Sequence, residues 1–404
     1  MTTTNKLIQE ENKYCAHNYL PIPVMVEKAE GVWVWDVDGK KYIDMMAAYS
    51  AVSHGHCHPK ILKAMHEQSK KVSVVSRAYH SETLGPFLKR LCEISGYDMV
   101  LPMNTGAEAV ETAIKAARRW GYQKKGIEDG KANIIVAHNN FHGRTTTIIG
   151  FSSEFSYKEG FSPFDGGFKE IPFADAAALE NAIDENTCAF LVEPIQGEAG
   201  IIVPPPGWLK KVAEICKHHN VLLICDEVQS GMGRTGKMFC YEHDGIQPDG
   251  LILGKALGGG VYPVSAFLAN RDVMEVFTPG SHGSTFGGNS LAAAIGHAAI
   301  DVLIDEKLVE NSAKLGAYLL ERLRAVRSPV IMGTHGLGLW VGVEIDPQYA
   351  TARAVCERLA ENGFLSKETH ETVIRIAPPL TITKEELDHG IEILRETLKE
   401  FVGQ

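Results

Sequence analysis

Among its 404 residues the chain has no run of about 18 apolar residues, the minimum for a helical membrane span, so none is expected. The opening residues, MTTTNKLIQEENKYC, have no basic start, no apolar h-region and no small-residue cleavage site. Glu10 and Glu11, with no arginine near them, are also unlike a mitochondrial presequence, so a cytoplasmic location is expected. No C-x-x-C pair occurs among Cys15, Cys57, Cys92, Cys188, Cys216, Cys225, Cys240 and Cys356, several of which sit inside apolar runs; this suits reduced core thiols better than a disulfide frame. No cluster of lysine and arginine offsets the net charge of -10, which argues against sequence-independent binding to nucleic acid. Small-molecule chemistry remains.

The length and the 45% hydrophobic content suggest two domains, each with apolar material for a core. GVWVWDVDGKKYIDM alternates around an Asp-Gly turn and reads as a hairpin. The short apolar runs MVLPMN, NIIVAHN, AFLVEP, LLICDE, LILGK and VSAFLAN alternate with helical patterns such as AVETAIKAARRWGY, the order of an α/β protein with a mostly parallel sheet. Past about residue 290 long helices alternate with the strands LGLWVGVEI and VIRIAP. The expected division is an N-terminal segment with a hairpin over 1–49, a large domain over 50–290 and a smaller α+β domain over 291–404.

LLICDEVQSGMGRTG, starting at Leu222, admits three chemistries. A nucleotide-hydrolysing strand needs a phosphate loop, G-x-x-x-x-G-K-[ST]. GLILGKAL is one residue short between its glycines, has Ala256 where the hydroxyl belongs and follows the acidic strand instead of preceding it. The glycines at 231, 233 and 236 match G-x-G-x-x-G, but they do not join a strand directly to a helix, and KMFCYEHDGIQPDG has no amphipathic pattern. The third chemistry is an acid at a strand end, Asp226, working with Lys255 at the end of the next strand. A lysine among apolar and small residues is desolvated, which lowers its pKa and makes its amine nucleophilic. An amine that condenses with an aldehyde and an acid against a ring nitrogen are both needs of pyridoxal phosphate. Singly, a solvated lysine and a turn-capping aspartate explain these residues equally well.

The remaining needs of that cofactor have candidates. Gly106 and Ala107 open the helix in NTGAEAVETAIKAARRWGY, where backbone amides can hold a phosphate. Phe141 follows the strand NIIVAHNN and offers a face for stacking, although core packing is its commoner role. Two histidine groups compete for attention. His54, His56 and His58 alternate as strand ligands of zinc do, but Pro59 ends the run and no second ligand cluster accompanies it, so no metal is expected. His218 and His219 read as a helix-end charge feature.

With these residues in view, the stretch LICDEVQSGMGRTGKMFCYEHDGIQPDGLILGKALGGG resembles the signature of the class III (ω-) aminotransferases, pyridoxal-phosphate enzymes of fold type I. HNYLPIPV, YSAVSHGHCHPKI, LPMNTGAEAVETA, NNFHGRT, VEPIQGEAGI, HGSTFGGNSLA and VIRIAPPL are similar to that family's blocks in order. Within the class they look most like the branch that transfers the δ-amino group of ornithine. The resemblance implies that Lys255 is the cofactor lysine, that Asp226 faces the pyridine nitrogen and that Gln229 faces the ring hydroxyl. It further implies that Gly106 and Ala107 hold the phosphate with Ser284 and Thr285 of a neighbouring subunit, and that Phe141 stacks on the ring. Tyr19, Tyr49 and Arg144 would hold the amino-acid end of ornithine. Glu198 and Arg375 would form a pair that is closed while ornithine binds and open for the α-carboxylate of 2-oxoglutarate. A homodimer or larger homo-oligomer with shared sites is implied. His142, Phe286 and Ser290 depart from the family pattern, where Trp, Tyr and Pro are common, and are expected to tune pocket shape only. Class III enzymes acting on N-acetylornithine or 4-aminobutyrate share the signature and differ in what holds the far end of the substrate.

Overall fold

The computed structural model describes residues 3–402. Its centre is a seven-stranded sheet whose order in space is Met99–Met103, Ser265–Ala269, Gly250–Leu253, Leu222–Asp226, Thr187–Val192, Asn133–Ala137 and Phe168–Ile171. Six strands run the same way, and only Ser265–Ala269 is antiparallel to its neighbours. The strands are apolar on both sides because both faces are covered. Ile135, Phe190, Leu223 and Leu251 join one core cluster, while Ile134, Leu191, Ile224 and Ile252, one residue out of phase, join the other. The edge strand Phe168–Ile171, sequence FKEI, gives no strand signal in the sequence because two of its four residues are charged and it has no apolar run.

A second sheet pairs the hairpin Trp33–Asp36 and Lys41–Asp44 with Val26–Glu30 on one side and, in parallel, with Phe364–Leu365 on the other. The N-terminal hairpin is thus built together with the C-terminal part of the chain; Trp33 Nε1 donates to Glu386 Oε1 of the last helix, Lys384–Lys399, at 3.0 Å. A third sheet, Ile331–Gly336, Val341–Ile345, Val373–Ile376 and Lys367–Thr369, carries Arg375 on its third strand.

The glycines of residues 231–236 pack this loop against the C-terminal part. A Cβ on Gly236 would lie 2.8 Å from Ala313 Cα, and one on Gly233 would lie 3.1 Å from Leu380 Cδ1. Arg234 is fully buried between these contacts. Its Nη1 donates to the carbonyls of Leu339 and Pro378 at 2.8 and 2.7 Å, and its Nη2 to Ser53 Oγ at 2.8 Å.

Between the hairpin and the helix Pro59–Ser69 the backbone does something rare for residues with a side chain. Ala47, Ala48, Tyr49 and Ser50 have φ of +46°, +46°, +58° and +75°, one turn of left-handed helix. In that conformation the Cβ crowds the following carbonyl, at roughly 1–2 kcal/mol per residue.

Candidate active site

The carboxyl ends of the parallel strands converge on one cavity of about 190 Å³. Its lining includes Gly106, Phe141, His142, Glu193, Asp226, Gln229 and Lys255. Gly106 is the first residue of the helix Gly106–Trp120, whose start is fixed by a capping box. Thr105 Oγ1 accepts from Glu108 N, and the Glu108 carboxylate accepts from Thr105 N. The first amides of that helix have no intrahelical acceptor, and those of Gly106 and Ala107, before the capped Glu108 N, are of the kind that can hold an anion. A Cβ at 106 would lie 3.0 Å from Val228 Cγ1, so a larger residue there would have to displace that side chain.

Asp226 is the last residue of its strand and is 5% exposed. Its Oδ1 accepts from Val228 N at 3.0 Å, and its Oδ2 lies 2.7 Å from Nδ1 of the buried His142. Burial disfavours a charge on this imidazole, but the hydrogen bond and the negative charge of Asp226 outweigh burial and raise its pKa. This corrects the expectation that His142 only shapes the pocket, because it touches the acid directly. Ser290, another departure, opens the helix Ser290–Asp305, and its Oγ lies 2.8 Å from Ser81 Oγ. Phe286 is 49% exposed on the loop that carries Ser284.

Lys255 follows its strand by two residues rather than ending it. The strand stops at Leu253, and Lys255 begins a tight turn with φ +44°. Its Nζ donates to Gln229 Oε1 at 3.2 Å, whereas Gln229 Nε2 is buried with no partner. Burial pushes Lys255 down to about 8, with Arg375 reinforcing the shift and Glu198 opposing it. Glu193, two residues before Ile195, has no role in the sequence reading. It is buried, accepts from Phe141 N at 2.9 Å and Gly197 N at 3.2 Å, and thereby ties Phe141 to the loop bearing Glu198. Burial, opposed by His142 and reinforced by Asp226, pushes Glu193 up to about 7.

A second cavity, about 380 Å³, shares Phe141 with the first and is lined by Arg144, Tyr157, Glu198, Lys367 and Thr369 among others. Here Glu198 and Arg375 form a fork. Arg375 Nη1 donates to Glu198 Oε1 at 2.9 Å and Nη2 to Oε2 at 3.0 Å. Arg375 is fully buried. Burial disfavours the Glu198 carboxylate, yet Arg375 overrides burial and holds it below the usual carboxylate range. The small third sheet secures both partners from behind, with Thr369 Oγ1 donating to the Glu198 carbonyl and Ser366 Oγ to that of Arg375.

The ring of Tyr49 lies 5.0 Å from the Arg375 guanidinium, and burial raises its hydroxyl pKa against the opposing charge of Arg375, with Glu198 and Tyr19 adding to the rise. Arg144 is exposed and stacks on Tyr157 at 3.6 Å, a partner the sequence reading did not identify. Tyr19 is 76% exposed. Ser284 and Thr285 do not line the cavity of their own chain; Ser284 Oγ accepts from Asn104 Nδ2 and Gly287 N, both at 3.0 Å. The three histidines of the 54–58 run diverge. His54 Nε2 meets Ala299 O at 3.0 Å, His56 Nε2 meets Asp44 Oδ2 at 2.7 Å and His58 Nε2 meets Glu306 Oε2 at 3.1 Å.

A family model described as aminotransferase class-III matches residues 14–398. Ornithine aminotransferase 2 of Staphylococcus aureus is 55% identical over 99% of this chain and 100% of its own length. The fold is similar to a structure of the ornithine aminotransferase of Toxoplasma gondii, described with partial occupancy of PLP at the active site. The TM-score is 0.97 and the identity 43%, over 98% of this chain and 94% of that one. It is also similar to the acetylornithine aminotransferase of Elizabethkingia anophelis, with a TM-score of 0.91 and 47% identity over 99% and 100%.

Proposed function

The chain belongs to the class-III aminotransferases, and from that premise we propose that it exchanges the δ-amino group of L-ornithine with 2-oxoglutarate, giving L-glutamate 5-semialdehyde and L-glutamate. The choice of ornithine rests chiefly on Tyr49 and Tyr19, and the observation that carries it is the ring of Tyr49 beside the Glu198–Arg375 fork, a cation neutralised until a carboxylate ligand needs it. The 55% identity to an ornithine aminotransferase over essentially the whole chain supports it.

The enzymes of this family use pyridoxal 5'-phosphate, and the cavity fits it. Gln229 Nε2 is buried without a partner, the glycine at 106 keeps a helix N-terminus bare, and a carboxylate bonded to a buried imidazole lines the same cavity as the lysine. Gly106 and Ala107 would hold the phosphate, Phe141 would stack on the ring, Asp226 would face the ring nitrogen and Gln229 the ring hydroxyl. When bound, the cofactor supplies an aldehyde that condenses with amines and a ring that accepts electron density from the adjacent carbon.

The chain supplies placement and proton transfer. Burial pushes Lys255 down to about 8, so at pH 7 roughly one amine in ten is unprotonated and able to act as a base, against fewer than about one in a thousand for an unperturbed lysine. It takes the proton from the carbon that carries the δ-amine of ornithine, and returns one to the corresponding carbon of 2-oxoglutarate in the second half-reaction. Asp226 would present its carboxylate to the ring nitrogen, and His142 holds that carboxylate in place. Arg144, Tyr49 and Tyr19 hold the amino-acid end of ornithine while Glu198 neutralises Arg375. When 2-oxoglutarate enters, Glu198 swings away and the guanidinium grips the α-carboxylate. One site serves both substrates in turn, so the kinetics are ping-pong.

Among the described residues no helix is long and apolar enough to cross a membrane. We place the enzyme in the cytoplasm as a homodimer in which Ser284 and Thr285 of one chain complete the phosphate site of the other. The test of the substrate is a comparison of kcat/KM for L-ornithine, N-acetylornithine and 4-aminobutyrate with 2-oxoglutarate as acceptor. Ornithine is expected to lead, and a higher value for N-acetylornithine would transfer the assignment to the activity named for the Elizabethkingia neighbour.

A further inference from the structure

Tyr49 occupies a left-handed turn built from residues that all carry a side chain, and the turn is bracketed. Before it, Asp44 Oδ1 accepts from the amides of Met46 and Ala47, both at 2.9 Å. After it, Ser53 Oγ donates back to Ser50 O at 2.8 Å and accepts from Arg234 at 2.8 Å. Within it, Val52 N donates to Ala47 O at 3.0 Å and Ala51 N to Ala48 O at 3.1 Å, and at Ala51 the chain returns to right-handed angles. The two flanks are tied to the segment that leaves the Arg375 strand, because Ala377 N donates to Met45 O and Leu380 N to Ser53 O, each at 2.7 Å. Tyr49 and Arg375 are therefore held in register through backbone bonds on either side of the strained turn. Strain of this kind persists only where the surroundings over-determine the conformation.

We propose that the left-handed turn Ala47–Ser50 is a positioning device that holds the ring of Tyr49 over Arg375, and that Ala48 is the residue whose small side chain lets it form. A right-handed turn would place the residue at 49 on a different bearing while the anchors at Met45 and Ser53 stayed where they are. Ala47 is fully buried and cannot be enlarged without a clash, whereas Ala48 is exposed, so its backbone preference can be varied with little change in packing. The proposal rests on the reading that Tyr49 helps to hold the donor.

The experiment compares Ala48→Gly and Ala48→Val, each with Tyr49 intact and with Tyr49→Ala, measuring KM and kcat for ornithine and for 2-oxoglutarate together with the melting temperature of the holoenzyme. Valine is β-branched and strongly disfavours positive φ, whereas glycine adopts it freely. Ala48→Val is expected to raise KM for ornithine about tenfold with kcat changed less than about twofold, an effect that disappears in the Tyr49→Ala background. Ala48→Gly is expected to melt at or above the parent temperature, the reverse of the usual Ala→Gly effect in a right-handed helix, with KM near that of the parent. The proposal is overturned if Ala48→Val matches the parent in KM, if its effect is undiminished without Tyr49, or if Ala48→Gly melts below the parent. A parent enzyme that does not turn over ornithine would instead overturn the substrate reading. The coupling of Ala48 to Tyr49 would then be read with the donor that is used, and the melting comparison stands in either case.

Discussion

Replacing Glu198 by Gln keeps the shape of the fork and removes its charge. In the native pair both carboxylate oxygens accept from Arg375, at 2.9 and 3.0 Å. The amide can accept one of these bonds, and its NH₂ then faces a second donor, so one bond to a charged group is lost. Such a bond contributes about 1.5–3 kcal/mol, which corresponds to roughly tenfold to somewhat over a hundredfold in the closed-to-open equilibrium. Arg375 has no exposed surface, so the weakened pair leaves a buried cation in want of an anion. A carboxylate substrate is the natural replacement. The half-reaction with 2-oxoglutarate should therefore reach half-saturation at lower concentration, and ornithine, now approaching an uncompensated guanidinium, should need a higher one. The ratio of kcat/KM for ornithine to that for 2-oxoglutarate is expected to fall at least about tenfold. Single-turnover measurement of each half-reaction separates the two effects. If both half-reactions of Glu198→Gln match the parent within a factor of two, the pair is structural only and its role in discrimination is refuted.

His142→Phe removes the imidazole beside Asp226; cofactor affinity, read by equilibrium dialysis, should weaken about tenfold or more, and an unchanged value would return His142 to a role in pocket shape. In cofactor-free enzyme the reactivity of Lys255 toward an amine-selective reagent should rise through a midpoint near pH 8, and a midpoint near that of surface lysines would contradict the burial effect. The linked stability has a definite sign. Because the folded-state value lies below the unfolded one, the unfolded chain holds a proton that the folded chain lacks between about pH 8 and 10.5, so this group adds stability to cofactor-free enzyme as pH rises across that window. Arg234→Met strands two carbonyls and a hydroxyl that the guanidinium now satisfies, and should cost about 3 kcal/mol or more in denaturant unfolding; an unchanged midpoint would show that the loop is held by its glycine contacts alone.

Asp226 and Lys255 were legible because both residue types are costly to bury and both sit at the ends of apolar runs, where an α/β sheet collects its ligands. Gly106 was legible from the turn into an amphipathic helix. The bond between His142 and Asp226 was not, since 84 positions separate the partners and nothing local to FHGRT predicts which strand end lies opposite. The left-handed turn was hidden for a different reason: MAAYSA has neither Gly nor Asn, the usual marks of positive φ, and the conformation is imposed by anchors at Asp44, Ser53 and the segment after Arg375. Phe168–Ile171 lacks an apolar run because only its two end residues pack, Phe168 against one core cluster and Ile171 in the other, while Lys169 and Glu170 between them pair with Asp184 and His138; its register is supplied by the parallel pairing with Asn133–Ala137. Tyr157 stacks on Arg144 from a short helix with no pattern of its own, so only the folded chain shows that partnership.

On the proposed function, this site takes the δ-nitrogen of ornithine and delivers it to 2-oxoglutarate. Ornithine carrying a heavy-nitrogen label at the δ position in one sample and at the α position in another, each incubated with holoenzyme and 2-oxoglutarate, tests it by mass spectrometry of the glutamate formed. The δ label is expected in the amino group of glutamate and the α label is expected to stay in the product aldehyde and its cyclised form; transfer of the α label, or unlabelled glutamate from the δ-labelled sample, would show that the δ-nitrogen is not the one transferred.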